Sequence, residues 1–311
     1  MTNKVKTTYA VSLITALVLA IAAIALRTYV ILTSFDEATA NFDATPFYDA
    51  YLILIAVSVL LVIIPLILLR SMNEVRVLRN DIPTLFSSAF CVLALAVYAI
   101  YSVIQVATGA YTGLSLAFSL ISAACAIACC PYFVCTLAGA RASDSTLSVF
   151  ATLNVLFGCM LAFFLYTDNT LYITSPIKIL HIASAMMIAF FFIGEARIAL
   201  NRAIWNFYVC VSLIALIITS SDAVSCLIYV PVKSSEGIGA SAHCFLILAF
   251  SLYIFSRLVA IYLVNCKDAR GLLAVFEASS RRAHAHDGED LAEQLHMNLE
   301  GSGDVQENEE N

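Results

Sequence analysis

Charge is scarce in this chain: Asp, Glu, Lys and Arg together make up 12% of 311 residues. That is about half of what a soluble domain of this size carries. Glycine (11) and proline (6) are also few, and tryptophan occurs once. So thin a supply of turn residues and charge excludes a loop-rich globular domain and a disordered chain. Basic residues gather into no patch, which excludes a nucleic-acid footprint and leaves nucleic acid out as a partner. Catalytic signatures are missing too: there is no HExxH, no GxSxG and no phosphate-binding loop GxxxxGK[ST]. Asp222 and Glu195 fall at opposite depths of their hydrophobic runs, so they do not form the paired carboxylates of an aspartyl protease. A non-enzymatic reading follows.

What the chain has instead is apolar length. Hydrophobic residues reach 61%, in eight runs at about 8–32, 48–70, 84–107, 113–138, 146–167, 176–199, 204–230 and 241–265. Each approaches or exceeds the roughly 20 residues that cross a bilayer core as a helix. Lipid offers no partner for an open sheet edge, and runs such as YLILIAVSVLLVIIPLILL do not alternate as barrel strands do. The expected fold is all-α, a polytopic transmembrane bundle of eight spans over residues 1–265. An acidic, largely disordered tail occupies 266–311.

Cations set the expected orientation. Lys4 and Lys6 precede the first span; Arg70, Arg76 and Arg79 follow the second, Arg141 the fourth, Arg197 and Arg202 the sixth, Lys267 and Arg270 the eighth. The alternate loops carry Asp36, Glu37, Asp43, Asp168 and Glu236, with only Lys178 and Lys233 as cations. An even span count with both termini cytoplasmic puts every basic loop on one side of a cell membrane. ATA at 38–40 imitates a signal-peptide cleavage site, but the first run is far longer than a signal core, so it reads as an uncleaved span.

The ten cysteines fall almost wholly within the spans. In ACAIACCPYFVC, Cys125, Cys129, Cys130 and Cys135 have no histidine or carboxylate nearby in sequence, so they read as small packing residues rather than zinc ligands. Pro131 in the same stretch is a place for a kink. Cys226 and Cys244 fall at similar depth on neighbouring spans, which is compatible with a disulfide. The fourth span, rich in Ser and Ala from Gly113 to Ala128, is expected at the centre of the bundle, because small residues let membrane helices approach closely. Tyrosines lie largely toward span ends, and Trp205 opens the seventh, as interface anchors do.

Six ionisable groups remain inside the spans: Arg27, His181, Glu195, Asp222, His243 and Arg257. Each costs about 2.5–3.5 kcal/mol on insertion scales, so each is expected to face inward and to pair. Glu195 and Arg257 come late in spans six and eight, which run in the same direction, and this makes them expected partners. His181 precedes Glu195 by fourteen residues, and His243 precedes Arg257 by fourteen. Fourteen steps at 100° return to within about 40° of the starting face. If the charges meet, the two histidines lie at equal depth.

Two readings of the histidines stand side by side: polar residues held by neighbouring helices, or a pair binding haem or a metal. No cofactor is required by the first, and the sequence favours it. Asp222, in SSD at 220–222, is expected to pair with Arg27, or to meet His181 or Lys178. The functional alternative is a proton or cation site lined by Ser220, Ser221 and Ser225, as in a transporter. Few mid-span glycines or prolines are available for the broken helices that carriers commonly use.

Glu195 itself stands in FFIGEARIALNR, where Arg197 and Arg202 anchor the helix end and Glu195 lies deeper. A span ending in GEAR and followed by a short basic turn resembles multi-spanning bacterial integral membrane proteins without assigned activity. The resemblance covers spans six to eight and implies no functional residue. The tail carries a net charge of −7 and repeats Leu291, Leu295 and Leu299 at helical spacing. These features lead to a sensor, scaffold or accessory subunit, with the lipid bilayer as its surroundings and a partner protein engaged through 266–311.

Overall fold

A computed structural model describes residues 3–36, 41–42, 46–68, 82–138, 144–168, 175–233 and 238–265. They form helices α1 (Asn3–Ser34), α2 (Pro46–Leu68), α3 (Ile82–Ala107), α4 (Leu114–Leu137), α5 (Asp144–Thr167), α6 (Pro176–Ala199), α7 (Trp205–Lys233) and α8 (Ile238–Asn265). One helix lies on each predicted run. Seven of them are long and apolar enough to cross a membrane, the architecture of a multi-spanning membrane protein. In α2 the apolar stretch counted among the described residues is Pro46–Val62. The tail 266–311 and basic residues Arg70, Arg76, Arg79 and Arg141 lie outside the described residues.

Local chemistry marks the helix ends. Pro176 starts α6, where its missing N–H costs nothing. Asp49 and Asp144 sit in the first turns of α2 and α5, where the helix dipole favours an anion. The GEARIALNR segment closes as a Schellman motif. Asn201 takes a left-handed φ of 56°, and the Arg202 N–H donates to the Arg197 carbonyl at 2.9 Å.

Helices α3 to α8 pack in sequence order, and α8 returns to α3, so the six make a closed ring. Aromatic side chains fill its interior. Phe133 meets Phe192 edge-on at 6.0 Å and Tyr253 at 5.1 Å, while Phe157 lies 6.0 Å from Phe250. Helix α1 packs along α7, and α2 along both. The outward faces stay apolar, as lipid requires: Val11, Ile14, Val18 and Ile21 are all exposed along α1.

One expectation is corrected here. The fourth span is not central. Helix α4 packs between α3 and α5 and leaves Leu114, Leu120, Ile121, Ile127 and Val134 exposed, whereas α7 and α8 are the most buried spans. Small residues license close approach but do not say how many neighbours a helix has, and here they serve two flanks. The helix also continues through Pro131 to Leu137. The connection after α1 holds a short antiparallel hairpin, β1 (Phe35–Asp36) with β2 (Asn41–Phe42). Phe35 and Phe42 pair across it and pack on a small cluster that includes Ile31, Cys226, Tyr229 and Cys244.

A close approach of α5 to α6 depends on Gly158 in α5. A methyl there would stand 2.9 Å from the Ala189 side chain and 3.0 Å from the Ala185 carbonyl oxygen of α6. Gly158→Leu should therefore overpack this contact by about 1–3 kcal/mol. The expected readout is a clear fall in the unfolding temperature of the detergent-solubilised protein. Gly109→Asn, where the backbone φ is 75° and the surroundings are open, should change it little.

Candidate functional site

Two polar clusters interrupt the apolar interior, on a common pair of helices. On α6, His181 and Glu195 are fourteen residues apart, which at 1.5 Å per residue is about 21 Å along the axis. The same interval separates His243 from Arg257 on α8. Both ends of this ladder are closed in space. Arg257 Nε lies 3.0 Å from Glu195 Oε1, and the His181 and His243 rings lie 5.1 Å apart, edge to face. Helices α6 and α8 have few close backbone approaches, so these side chains bridge a gap across the ring.

The Glu195 cluster is complete. Arg257 grips the carboxylate with two nitrogens, Nε to Oε1 at 3.0 Å and Nη2 to Oε2 at 3.2 Å. Tyr208 Oη donates to Oε1 at 2.5 Å and Tyr132 Oη to Oε2 at 3.0 Å. Tyr253 Oη in turn donates to Tyr132 Oη at 3.3 Å. Four helices, α4, α6, α7 and α8, thus converge on one carboxylate. Gly194 makes this geometry accessible: a side chain on it would come within 2.5 Å of the Tyr208 ring. The glycine beside the glutamate lets an aromatic ring lie flat against α6 and reach back to its acid.

The other cluster surrounds Asp222, which is fully buried. Its Oδ1 receives Arg27 Nη2 at 3.0 Å, and its Oδ2 receives His181 Nδ1 at 2.9 Å and Ser184 Oγ at 2.7 Å. Arg27 also reaches Tyr51 Oη at 3.4 Å and Cys226 Sγ at 3.8 Å, and its guanidinium stacks over the Tyr51 ring. Lys178 goes elsewhere, donating to the Asp168 carbonyl at the end of α5. The serines expected around Asp222 are also otherwise engaged. Ser220 and Ser221 bond back to the carbonyls of Ile217 and Ile218, and Ser225 to Ile24 of α1. Successive helical residues point about 100° apart, so the neighbours of an inward aspartate face other helices. Its serine is Ser184, from α6.

Unspent polar groups adjoin this cluster. Among the described residues, Arg27 Nε and both ring nitrogens of His243 are buried without a hydrogen-bond partner, as are a few hydroxyls and an amide oxygen elsewhere, Ser12, Ser88 and Asn154 among them. A cavity of about 110 Å³ lies beside Arg27, lined by Tyr48, Tyr51, Phe42, Pro176 and Leu180 among others. Ligand atoms of His181, Cys226 and Cys244 lie within 4.8 Å of one another, and both cysteines are free thiols. Two other described cysteines serve packing: Cys129 is buried in the core, and the buried Cys91 thiol donates to the Ala249 carbonyl of α8.

Sequence reasoning did not reach Tyr132, Tyr208 or Ser184. The tyrosines read as interface anchors, and nothing in their spacing tied α4 or α7 to Glu195. One signal was available: Gly194 next to a buried acid marks a place where something bulky approaches. The chain matches no protein-family model, no curated protein and no solved structure.

Truncating one partner of a buried ion pair leaves an uncompensated charge, at a cost of about 3–5 kcal/mol. Arg257→Met alone should strongly lower the yield and unfolding temperature of the solubilised protein. Arg257→Met combined with Glu195→Gln should recover much of that loss, because the charge has gone from both sides.

Proposed function

We propose that this chain is an eight-span protein of a cell membrane, with both termini in the cytoplasm, acting as a non-enzymatic sensor or accessory subunit. The responsive part is the Asp222 cluster near the outer face, and the output is the acidic tail 266–311, which engages a partner protein. The observation that carries this is the contrast between the clusters. Around Glu195 every carboxylate lone-pair direction in use goes to the chain's own arginine and tyrosines. Among the described residues around Asp222, Arg27 Nε, beside a cavity, and the His243 ring, away from that cavity, are left without a hydrogen-bond partner. An unmet buried polar group costs about 1–3 kcal/mol, and native proteins keep few of them without a use. A ligand arriving from the outer side would satisfy them.

Carriage of cations by Asp222 has less support. Its carboxylate is bound by Arg27, which stays charged in proteins, so a cation would have to displace a permanent one. Nucleophilic chemistry has little support either. Asp222, His181 and Cys226 follow one another as a thiol triad would, yet Cys226 is 5% exposed and does not line the cavity.

Reconstituted vesicles test the reading directly. The purified protein should give no pH-dependent ion flux, and Asp222→Asn should lower thermal stability without altering flux. A flux abolished by Asp222→Asn in a well-folded protein would replace the sensor with a carrier. Native mass spectrometry of protein taken gently from its own membrane should show a bound partner that leaves when 267–311 are removed.

A further inference from the structure

We infer that His181, Cys226 and Cys244, with His243 as fourth ligand, form a binding site for one thiophilic metal ion, zinc(II) or copper(I), between α6, α7 and α8. The inference names a ligand for the histidine side of the Asp222 cluster, leaving Arg27 Nε aside, and so rests on reading that cluster as the responsive site.

Three helices bring the donors together, and each contributes the right kind of atom. Two thiols and an imidazole already lie within 4.8 Å of one another. In a tetrahedral zinc site with bonds of about 2.0–2.3 Å, ligand atoms stand roughly 3.5–3.8 Å apart, so a contraction of about 1 Å closes the set. His243, next to Cys244 on α8, lies outside this set of three and would have to turn inward to complete it. Its ring lies 5.1 Å from that of His181, and neither of its nitrogens has a hydrogen-bond partner among the described residues. A nitrogen lone pair held in a buried place without a donor is what a metal takes up. Two nitrogens and two sulfurs suit zinc and copper(I), and not magnesium or calcium, which prefer oxygen.

The surroundings are organised as a metal site requires. Asp222 holds Nδ1 of His181 at 2.9 Å, which leaves Nε2 for the ion. This carboxylate–histidine–metal relay fixes the ring and its tautomer. Arg27 neutralises Asp222 and reaches the Cys226 sulfur, where it would stabilise a thiolate. Zinc binding would release the two thiol protons to water, and zinc with two thiolates carries no net charge, which suits a site inside lipid. Phe35 and Phe42 of the hairpin pack over the cysteine cluster and keep water from the sulfurs. A flat macrocycle has no slot between two rings set edge to face at this distance, so the site suits a bare ion rather than haem. A thiol triad would leave Cys244 and His243 without a role, whereas the metal site uses all four side chains.

The test uses the full-length protein in detergent, reduced and stripped of metal, then loaded separately with cobalt(II), zinc(II) and copper(I). Cobalt should give thiolate charge-transfer bands and the intense visible bands of a tetrahedral ion, at one equivalent per chain. Zinc or copper(I) should displace it, and whichever does so at lower free concentration is the preferred ion. Cys226→Ser with Cys244→Ser should abolish the spectrum, while Cys159→Ser should leave it unchanged. His243→Ala, which removes only a partly buried ring, should weaken binding by at least tenfold and keeps the test open if the double variant does not fold. No cobalt spectrum with the thiols reduced, metal retained without both cysteines, or a native Cys226–Cys244 disulfide would each overturn the proposal. The two readings fail separately. A protein that binds one cobalt and moves it across vesicles keeps the metal site and loses the sensor; one that binds none and moves nothing loses only the metal site.

Discussion

A carboxylate buried among apolar helices has no water to turn to, and Glu195 shows what a chain must do about it. Arg257 supplies the opposite charge and two hydrogen bonds, and Tyr132 and Tyr208 supply two more. Meeting that demand fixes much else. It draws α4, α6, α7 and α8 to one point, requires a glycine at 194 to admit the Tyr208 ring, and surrounds the pair with aromatic side chains that exclude water. A buried pair of this kind is weak evidence for net stability, since apolar residues of similar volume often do as well. Its value lies in register: α6 and α8 meet with the two charges level, and no slipped arrangement satisfies both.

Because the register is set there, it is also set about 21 Å away along the same two helices. His181 and His243 come level as a consequence, and α7 brings Asp222 and Cys226 beside them. One end of the ladder is therefore a structural lock and the other a place where donors have been assembled but not all used. The difference is visible in the hydrogen bonds. The lock has none missing on its carboxylate, while the other end keeps an arginine nitrogen and a histidine ring unpartnered.

Much of this was legible before any coordinates. The eight apolar runs coincide with eight helices within a few residues, because in lipid the backbone has no alternative to internal hydrogen bonding and apolar length alone marks the span. The depth argument named Arg257 for Glu195, and Arg27, His181 or Lys178 for Asp222; Arg257 lies 3.0 Å from Glu195, and Asp222 holds Arg27 at 3.0 Å and His181 at 2.9 Å. Depth is readable because rise per residue is constant. The fourth helix shows where such reasoning stops: its small residues spoke for close packing, yet it lies at the flank of α3 and α5. Composition records how near a neighbour can come, not how many neighbours there are.

By itself, the sequence determined the number and limits of the helices, the position of each buried charge along its helix and the common spacing of the two rungs, since these follow from apolar length and a helix's fixed pitch. Only the tertiary structure decided which face of each helix meets which neighbour. That choice gave Glu195 its tyrosines, gave Asp222 a serine from α6 instead of those beside it, and set two thiols from different helices next to a histidine. The reason is physical: rotation about a helix axis is set by the packing of all the helices at once, and no local pattern in any one of them contains it.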